Sequence, residues 1–98
     1  MIQVIHKKHA QGGKGYVYIG RPSALGNPFV IGRHGNRAQV IALYEQWLRG
    51  KLAEAGDNAQ KRELARIKAL GVDIYLGCWC APQRCHGDVI KAILQEMN

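Results

Sequence analysis

The sequence predicts a small α/β domain with a short, mostly parallel sheet and about three helices. β-Branched and aromatic residues are concentrated in three short runs, and apolar residues recur at helical spacing in three longer runs. The chain has 98 residues, of which 47% are hydrophobic and 21% charged, so we expect one folded domain over residues 1–98.

Two short strands are predicted near the N-terminus. Ile2, Val4 and His6 alternate with their neighbours, and residues 16–19 form a β-branched and aromatic run. Residues 11–15 are a glycine-rich connection. A hairpin between the two strands is one arrangement that fits this pattern.

Two helices are predicted in the middle of the chain. The first has Asn36 as its N-cap and ends at Gly50, and the second begins at Asp57 or Asn58 and ends at Gly71. The apolar residues expected to face the core are Val40, Ile41, Leu43, Tyr44, Trp47 and Leu48, followed by Leu64, Ile67 and Leu70.

A third strand and a third helix complete the pattern. VDIYLGCWC alternates, which predicts a strand that ends at Pro82, and a helix starts near residues 86–88. One strand face is expected to carry Val72, Ile74, Leu76, Cys78 and Cys80, the other Asp73, Tyr75, Gly77 and Trp79. The buried stripe of the helix is expected to be Val89, Ile90, Ile93, Leu94 and Met97.

The order of these elements predicts where a ligand would bind. A strand that is followed by helices and another strand usually forms a parallel crossover, which gives a two-layer or three-layer Rossmann-like domain. The segments after the second and third strands would then leave from the same carboxyl edge, where open α/β sheets bind their ligands. We therefore expect residues 20–36 and residues 80–87 to converge.

Several classes of protein are excluded or disfavoured. No apolar run has the length of a membrane span, and the N-terminus lacks the pattern of a secretory signal. Three closely spaced cysteines favour a reducing cytoplasm over a disulfide scaffold. Neither a phosphate-binding P-loop motif nor a dinucleotide-binding glycine motif is present, and the acids do not form the carboxylate pair of a glycosidase.

The positive charge is concentrated at the front of the chain. The net charge is +7, from 14 basic and 7 acidic residues, and the first acid is Glu45. This distribution suits either simple solubility or an anionic ligand such as a nucleotide or nucleic acid.

The segment CWCAPQRCH carries four candidate metal ligands. Cys78, Cys80, Cys85 and His86 suit zinc by residue type, although their spacing differs from that of paired zinc knuckles. The other interpretation, which this spacing favours, is that the thiols lie in the core or in a ligand site.

Cys85 and His86 also stand where a helix begins. Free N–H groups and the helix dipole at that point stabilise a phosphate or a thiolate. With Arg84 beside it, Cys85 is expected to have a lowered thiol pKa, which makes Cys85 and His86 candidate catalytic residues. The alternative is that Asp88 is an ordinary N-cap and His86 a turn residue.

The segment GRPSALGNPF has the residue types that bring a backbone close to an anion. We expect Gly20, Arg21, Ser23, Gly26 and Asn27 to bind a ligand, with the guanidinium on a phosphate or carboxylate. The later segment is expected to add Cys80, Arg84 and Asp88. The alternative is a plain turn, with Phe29 filling the core.

Together, GRPSALGNPF and CWCAPQRCHGD resemble the motifs of domain of unknown function 4326, a family found in phages and bacteria. The resemblance covers about residues 16–94. It implies no established activity, and the HKKHAQGGKG arm and the GRHGN segment are not part of the pattern.

Three functions are consistent with the sequence. The first is a basic cleft that binds a nucleotide or a nucleic-acid end, with catalysis undecided. The second is a zinc-stabilised module without catalysis, in which Lys7, Lys8 and Lys14 contact nucleic acid. The third is a protein-interaction module that presents Tyr44 and Trp47 outward.

Overall fold

The computed structural model describes residues 1–9, 15–71, 73–80 and 83–97. It contains three strands, three α-helices and one short 3-10 helix after the first strand. The strands are β1 (Ile2–His6), β2 (Tyr16–Tyr18) and β3 (Ile74–Cys78), and the helices are α1 (Arg37–Ala53), α2 (Ala59–Lys68) and α3 (His86–Glu96). No helix in this part of the chain is long and apolar enough to cross a membrane.

The sheet is parallel, with β3 in the centre between β1 and β2. Leu76 of β3 pairs with Val4 on one side and with Val17 on the other. The predicted α/β class and the parallel arrangement are therefore confirmed. The prediction that left open a hairpin between β1 and β2 is wrong. β3 lies between these two strands and forms backbone hydrogen bonds with both of them.

The core lies where the helices cover the sheet. Helix α3 packs against β1 and β3, and α1 packs against α2 and α3. The fully buried side chains come from the three helices, from β3 and from the segment after β2: Ile19, Leu25, Tyr44, Leu48, Leu64, Ile67, Leu76, Cys78, Ile90 and Leu94. Tyr44 is thus a core residue, and the idea that α1 presents it outward to a partner is wrong.

Helix α1 begins where the sequence predicts and ends later. Asn36 Oδ1 accepts the N–H of Gln39 at 2.9 Å, and Gln39 Oε1 accepts the N–H of Asn36 at 2.8 Å, which is a complete capping box. The predicted end at Gly50 is wrong, because Gly50 is not among the glycines with positive φ and the helix continues to Ala53. The extra turn lets Leu52 pack against the core, which offsets the low helix propensity of glycine.

Helix α2 follows the prediction closely. Asn58 is its N-cap and accepts the N–H of Lys61 at 2.8 Å, and Gly71 follows the helix with a φ of 66°. Leu64 and Ile67 are buried as expected. The third strand ends earlier than predicted, because β3 stops at Cys78 and the chain bends at Trp79 and Cys80. Val72, Pro82 and the connection that includes Lys14 lie outside the described residues.

The loop formed by residues 20–36 is tied to the helices by hydrogen bonds. The Tyr44 hydroxyl of α1 donates to the Leu25 carbonyl at 2.7 Å, and Gln60 Nε2 of α2 donates to the Ala24 carbonyl at 3.0 Å. Because the loop has no regular secondary structure, these carbonyl groups have no backbone partner in a helix or a sheet. The side chains of α1 and α2 supply the missing donors. The long loop is therefore a packed part of the domain.

The bond from Tyr44 predicts a measurable loss of stability. Removing the hydroxyl in Tyr44→Phe leaves the Leu25 carbonyl without its buried donor, so we expect the free energy of unfolding in urea to fall by about 1–2 kcal/mol. Tyr75→Phe, on a half-buried side chain of β3, is the control and should change it by less than about 0.5 kcal/mol. Equal effects of the two variants would contradict this account.

Candidate functional site

The two unusual segments of the sequence meet at the carboxyl edge of the sheet. A cavity of about 240 Å³ lies between the 20–36 loop, the start of α1 and the segment that joins β3 to α3. Its lining includes seven of the residues expected at a site: Gly20, Arg21, Asn27, Cys80, Arg84, Cys85 and His86. We refer to this cavity as the edge pocket.

Four other expected site residues lie outside the lining of the edge pocket. Cys78 is buried beside Cys85, and Asp88 binds the backbone of α3. Ser23 has a buried Oγ with no hydrogen-bond partner in the described structure. Gly26 lies close to the backbone of Arg21, as described below.

Half of the described lining consists of residues that were not predicted to belong to a site. The additional residues are Phe29, Val30, Ile31, Arg37, Val40, Ile41 and Trp79. Phe29 packs edge-on against His34, with ring centres 5.6 Å apart, so it forms part of the wall and does not fill the core. Arg37 was recognisable only as a basic residue directly after an N-cap, and Trp79 only as an aromatic residue near the end of a strand.

Three arginines, Arg21, Arg37 and Arg84, line the edge pocket, and the described lining contains no acid. The seven acids of the chain are engaged elsewhere. Five bind Lys or Arg side chains, one binds the N-terminal ammonium and one caps α3: Glu45, Glu54, Asp57, Glu63 and Glu96, then Asp73, then Asp88. Within the described residues, no acid therefore forms an ion pair with an arginine of the pocket.

One of these arginines connects two walls of the pocket. Arg37 Nη1, at the start of α1, donates to the Arg84 carbonyl at 3.0 Å. The bond holds the segment between β3 and α3 against α1, and it orients the Arg37 guanidinium at the pocket.

Gly26 allows the 20–36 loop to fold onto itself. A Cβ at this position would lie 3.0 Å from the Arg21 nitrogen and 3.1 Å from the Arg21 Cα. Both are backbone atoms that cannot rotate away. The absence of a side chain at Gly26 therefore allows the Arg21 backbone to lie where it does, although Gly26 itself is not part of the described lining of the pocket.

Cys85 is the N-cap of α3, which corrects the alternative in which Asp88 fills this position. The Gly87 N–H donates to Cys85 Sγ at 3.3 Å, and Asp88, at the third helical position, accepts the Cys85 N–H at 3.1 Å. A capping box in which a thiol replaces the usual hydroxyl thus starts the helix.

The expected lowering of the Cys85 thiol pKa is wrong. Its Sγ lies 3.1 Å from Cys78 Sγ in a buried contact between two cysteines that are not joined by a disulfide. That hydrogen bond and burial both raise the pKa of the Cys85 thiol, and the Gly87 N–H opposes them too weakly to reverse the direction. The Cys85 thiol is therefore expected to keep its proton at neutral pH.

His86 is a buried residue in the first turn of α3, which corrects the alternative of a turn residue. Its Nε2 lies 2.7 Å from the Ile19 carbonyl, and its ring packs edge-on against Tyr44 at 5.0 Å. Because a carbonyl only accepts, Nε2 carries the hydrogen. Burial, and to a smaller degree Arg21, lower the pKa of His86, so the ring is neutral and its Nδ1 is an acceptor.

The described residues assemble no group of three His, Cys, Asp or Glu side chains that could hold a metal ion. Of the four expected ligands, Cys78 and Cys85 contact each other, while His86 directs its Nε2 to the Ile19 carbonyl. The clustering of these residues in the sequence is explained here by a thiol pair and a helix cap.

The raised pKa of Cys85 predicts selective labelling of the thiols. With iodoacetamide at neutral pH we expect the half-buried Cys80 to react first, and the buried Cys78 and Cys85 to react only after unfolding. Mass spectrometry of digested protein gives the rate at each site. Cys80→Ser should abolish the fast reaction, and labelling of Cys85 at the rate of a free thiol would refute the assignment.

The burial of His86 predicts a loss of stability in acid. The pKa of His86 lies below its ordinary 6.5 in the folded protein, so the unfolded chain binds more protons than the folded one. The free energy of unfolding therefore falls as the pH drops through 6.5 towards the folded pKa. An NMR titration should show the His86 ring titrating below 6.5. In His86→Gln the free energy of unfolding should depend less on pH than in the exposed-site control His34→Gln; equal dependence would contradict this.

The comparisons with known proteins agree with the two sequence motifs. The family model described as "Domain of unknown function (DUF4326)" matches residues 2–96. The match begins earlier than the expected residue 16 and so includes β1. Neither the curated proteins nor the solved structures that were compared give a match. Since the model spans nearly the whole chain, including the edge pocket, this protein belongs to the DUF4326 family.

Proposed function

We propose that the edge pocket binds a phosphate-bearing ligand, a nucleotide or the end of a nucleic acid. The observation that carries the proposal is the set of three arginines in the pocket, none of which forms an ion pair with an acid in the described structure. Guanidinium groups bind phosphate oxygens through paired, charge-assisted hydrogen bonds.

The arginines, and not the start of α3, are the source of anion binding in this proposal. The N–H groups of Cys85, Gly87 and Asp88 already have acceptors inside the cap. A phosphate at this helix terminus would have to displace them. Arg21 and Arg84 are exposed, so they can reach a ligand without breaking an interaction of the fold.

The rest of the pocket suits the non-phosphate part of such a ligand. Ile31, Val40 and Ile41 give an apolar wall, and Asn27 and the neutral His86 bring polar groups to the lining. The volume of about 240 Å³ is below the roughly 300 Å³ at which pockets for drug-sized molecules begin. We therefore assign the pocket one phosphate with part of a nucleoside, the remainder extending towards solvent.

The proposal concerns binding. The protonated Cys85 thiol has no role in it beyond capping α3. His86 Nδ1 is the group suited to accept a hydrogen bond from a hydroxyl or an N–H of the ligand.

Calorimetry with nucleoside monophosphates, ribose 5-phosphate and a 5′-phosphorylated oligonucleotide tests the proposal. We expect Arg21→Ala to weaken binding about tenfold or more, because it removes charge-assisted hydrogen bonds, without lowering the melting temperature. Arg62→Ala on α2 removes the same charge outside the pocket lining and should leave affinity within about twofold. Equal losses in the two variants, or no binding of any of these compounds, would overturn the proposal.

A further inference from the structure

Trp79 is an exposed aromatic side chain at the mouth of the edge pocket. It directly follows β3, and 60% of its surface is accessible. Among the described residues the other large exposed apolar side chains are Met1 and Ile31. An accessible tryptophan beside three arginines is unlike an isolated apolar residue on a protein surface, because it belongs to a cavity lining.

The indole is held in place although it is exposed. Its Nε1–H donates to the Tyr18 hydroxyl at 2.9 Å, and that hydroxyl donates to the Arg21 carbonyl at 3.0 Å. The His6 ring stands edge-on to the indole, with centres 6.1 Å apart. A ring fixed in this way loses little conformational entropy when a ligand covers it.

A lysine side chain lies close to the Trp79 indole. The Lys7 ammonium lies 4.5 Å from the centre of the Trp79 ring and 5.5 Å from that of Tyr18. The cation lies over the indole, and with 60% of its surface accessible Trp79 still has ring surface for a second flat group. An aromatic platform bordered by a lysine and by arginines is the combination that proteins use for bases joined to phosphates.

We infer that Trp79 stacks on the base of the ligand, so that the substrate class of the edge pocket is nucleotides and not phosphorylated sugars or peptides. The inference rests on the proposed phosphate site and assigns the base to Trp79 and the phosphate to the arginines. The hydrogen-bond chain from Trp79 through Tyr18 to the Arg21 backbone fixes the two subsites relative to each other. Stacking is tolerant of base identity, so purine and pyrimidine nucleotides should both bind.

Fluorescence reports directly on this contact. The chain has two tryptophans, so Trp47→Phe leaves Trp79 as the single reporter. Titration with a nucleoside monophosphate should quench its emission, whereas ribose 5-phosphate should bind about tenfold or more weaker and quench little. Calorimetry on the unaltered protein repeats the affinity comparison, so the result does not depend on the Trp47 change.

Substitutions of Trp79 separate stacking from phosphate binding. Trp79→Ala should bring the nucleotide down to the affinity of ribose 5-phosphate, and Trp79→Phe should keep part of the difference. Arg21→Ala should instead weaken both compounds by a similar factor. Circular dichroism and melting temperature, unchanged in the Trp79 variants, exclude unfolding as the cause.

The outcomes distinguish the two proposals. If both compounds bind equally to the unaltered protein, or if Trp79→Ala keeps the nucleotide preference, stacking on Trp79 is refuted while the phosphate site stands. If no phosphorylated compound binds, the phosphate site fails and the inference fails with it.

Discussion

The pairing of β3 with a parallel strand on each side is the constraint on which the rest of the structure depends. Leu76, fully buried at its centre, faces partners in β1 and in β2 at once. Because all three strands run the same way, the segments that follow them leave at one edge of the sheet. Lys7, Gly20 and Trp79 come to that edge from three separate stretches of sequence, and the pocket is a consequence of this shared direction.

A second layer of constraint holds the pocket in shape. Each helix donates one side-chain hydrogen bond to a carbonyl of the segment after β2: α1 to Leu25, α2 to Ala24 and α3 to Ile19. The acids, meanwhile, bind basic groups outside the pocket or cap α3, and none of them belongs to the described lining of the pocket with Arg21, Arg37 and Arg84. The fold thus combines a conformationally restricted loop with a local excess of positive charge. Such a pocket can bind an anion without a large conformational change.

The features that could be predicted from the sequence are those decided by near neighbours. The cap at Asn36 depends on Gln39 three residues away, and the periods of the strands and helices follow from local alternation. The strand order was not predictable, because it depends on pairing between distant segments. The thiol state of Cys85 depends on Cys78 across a packed interface, and local sequence suggested the opposite pKa shift. Trp79 was assigned to a strand face, whereas its side chain is held by Tyr18, 61 residues away.

The position of β1 has a consequence for how the chain acquires its structure. Ile2 pairs with Ile74, and the N-terminal ammonium binds Asp73 across 72 residues of sequence. During synthesis β1 emerges first but has no strand to pair with until β3 has left the ribosome. Folding is therefore expected to be late and cooperative, since a large loop must close before the central ladders form. Until then β1, an apolar segment with unpaired backbone groups, is the part of the nascent chain most exposed to wrong pairing.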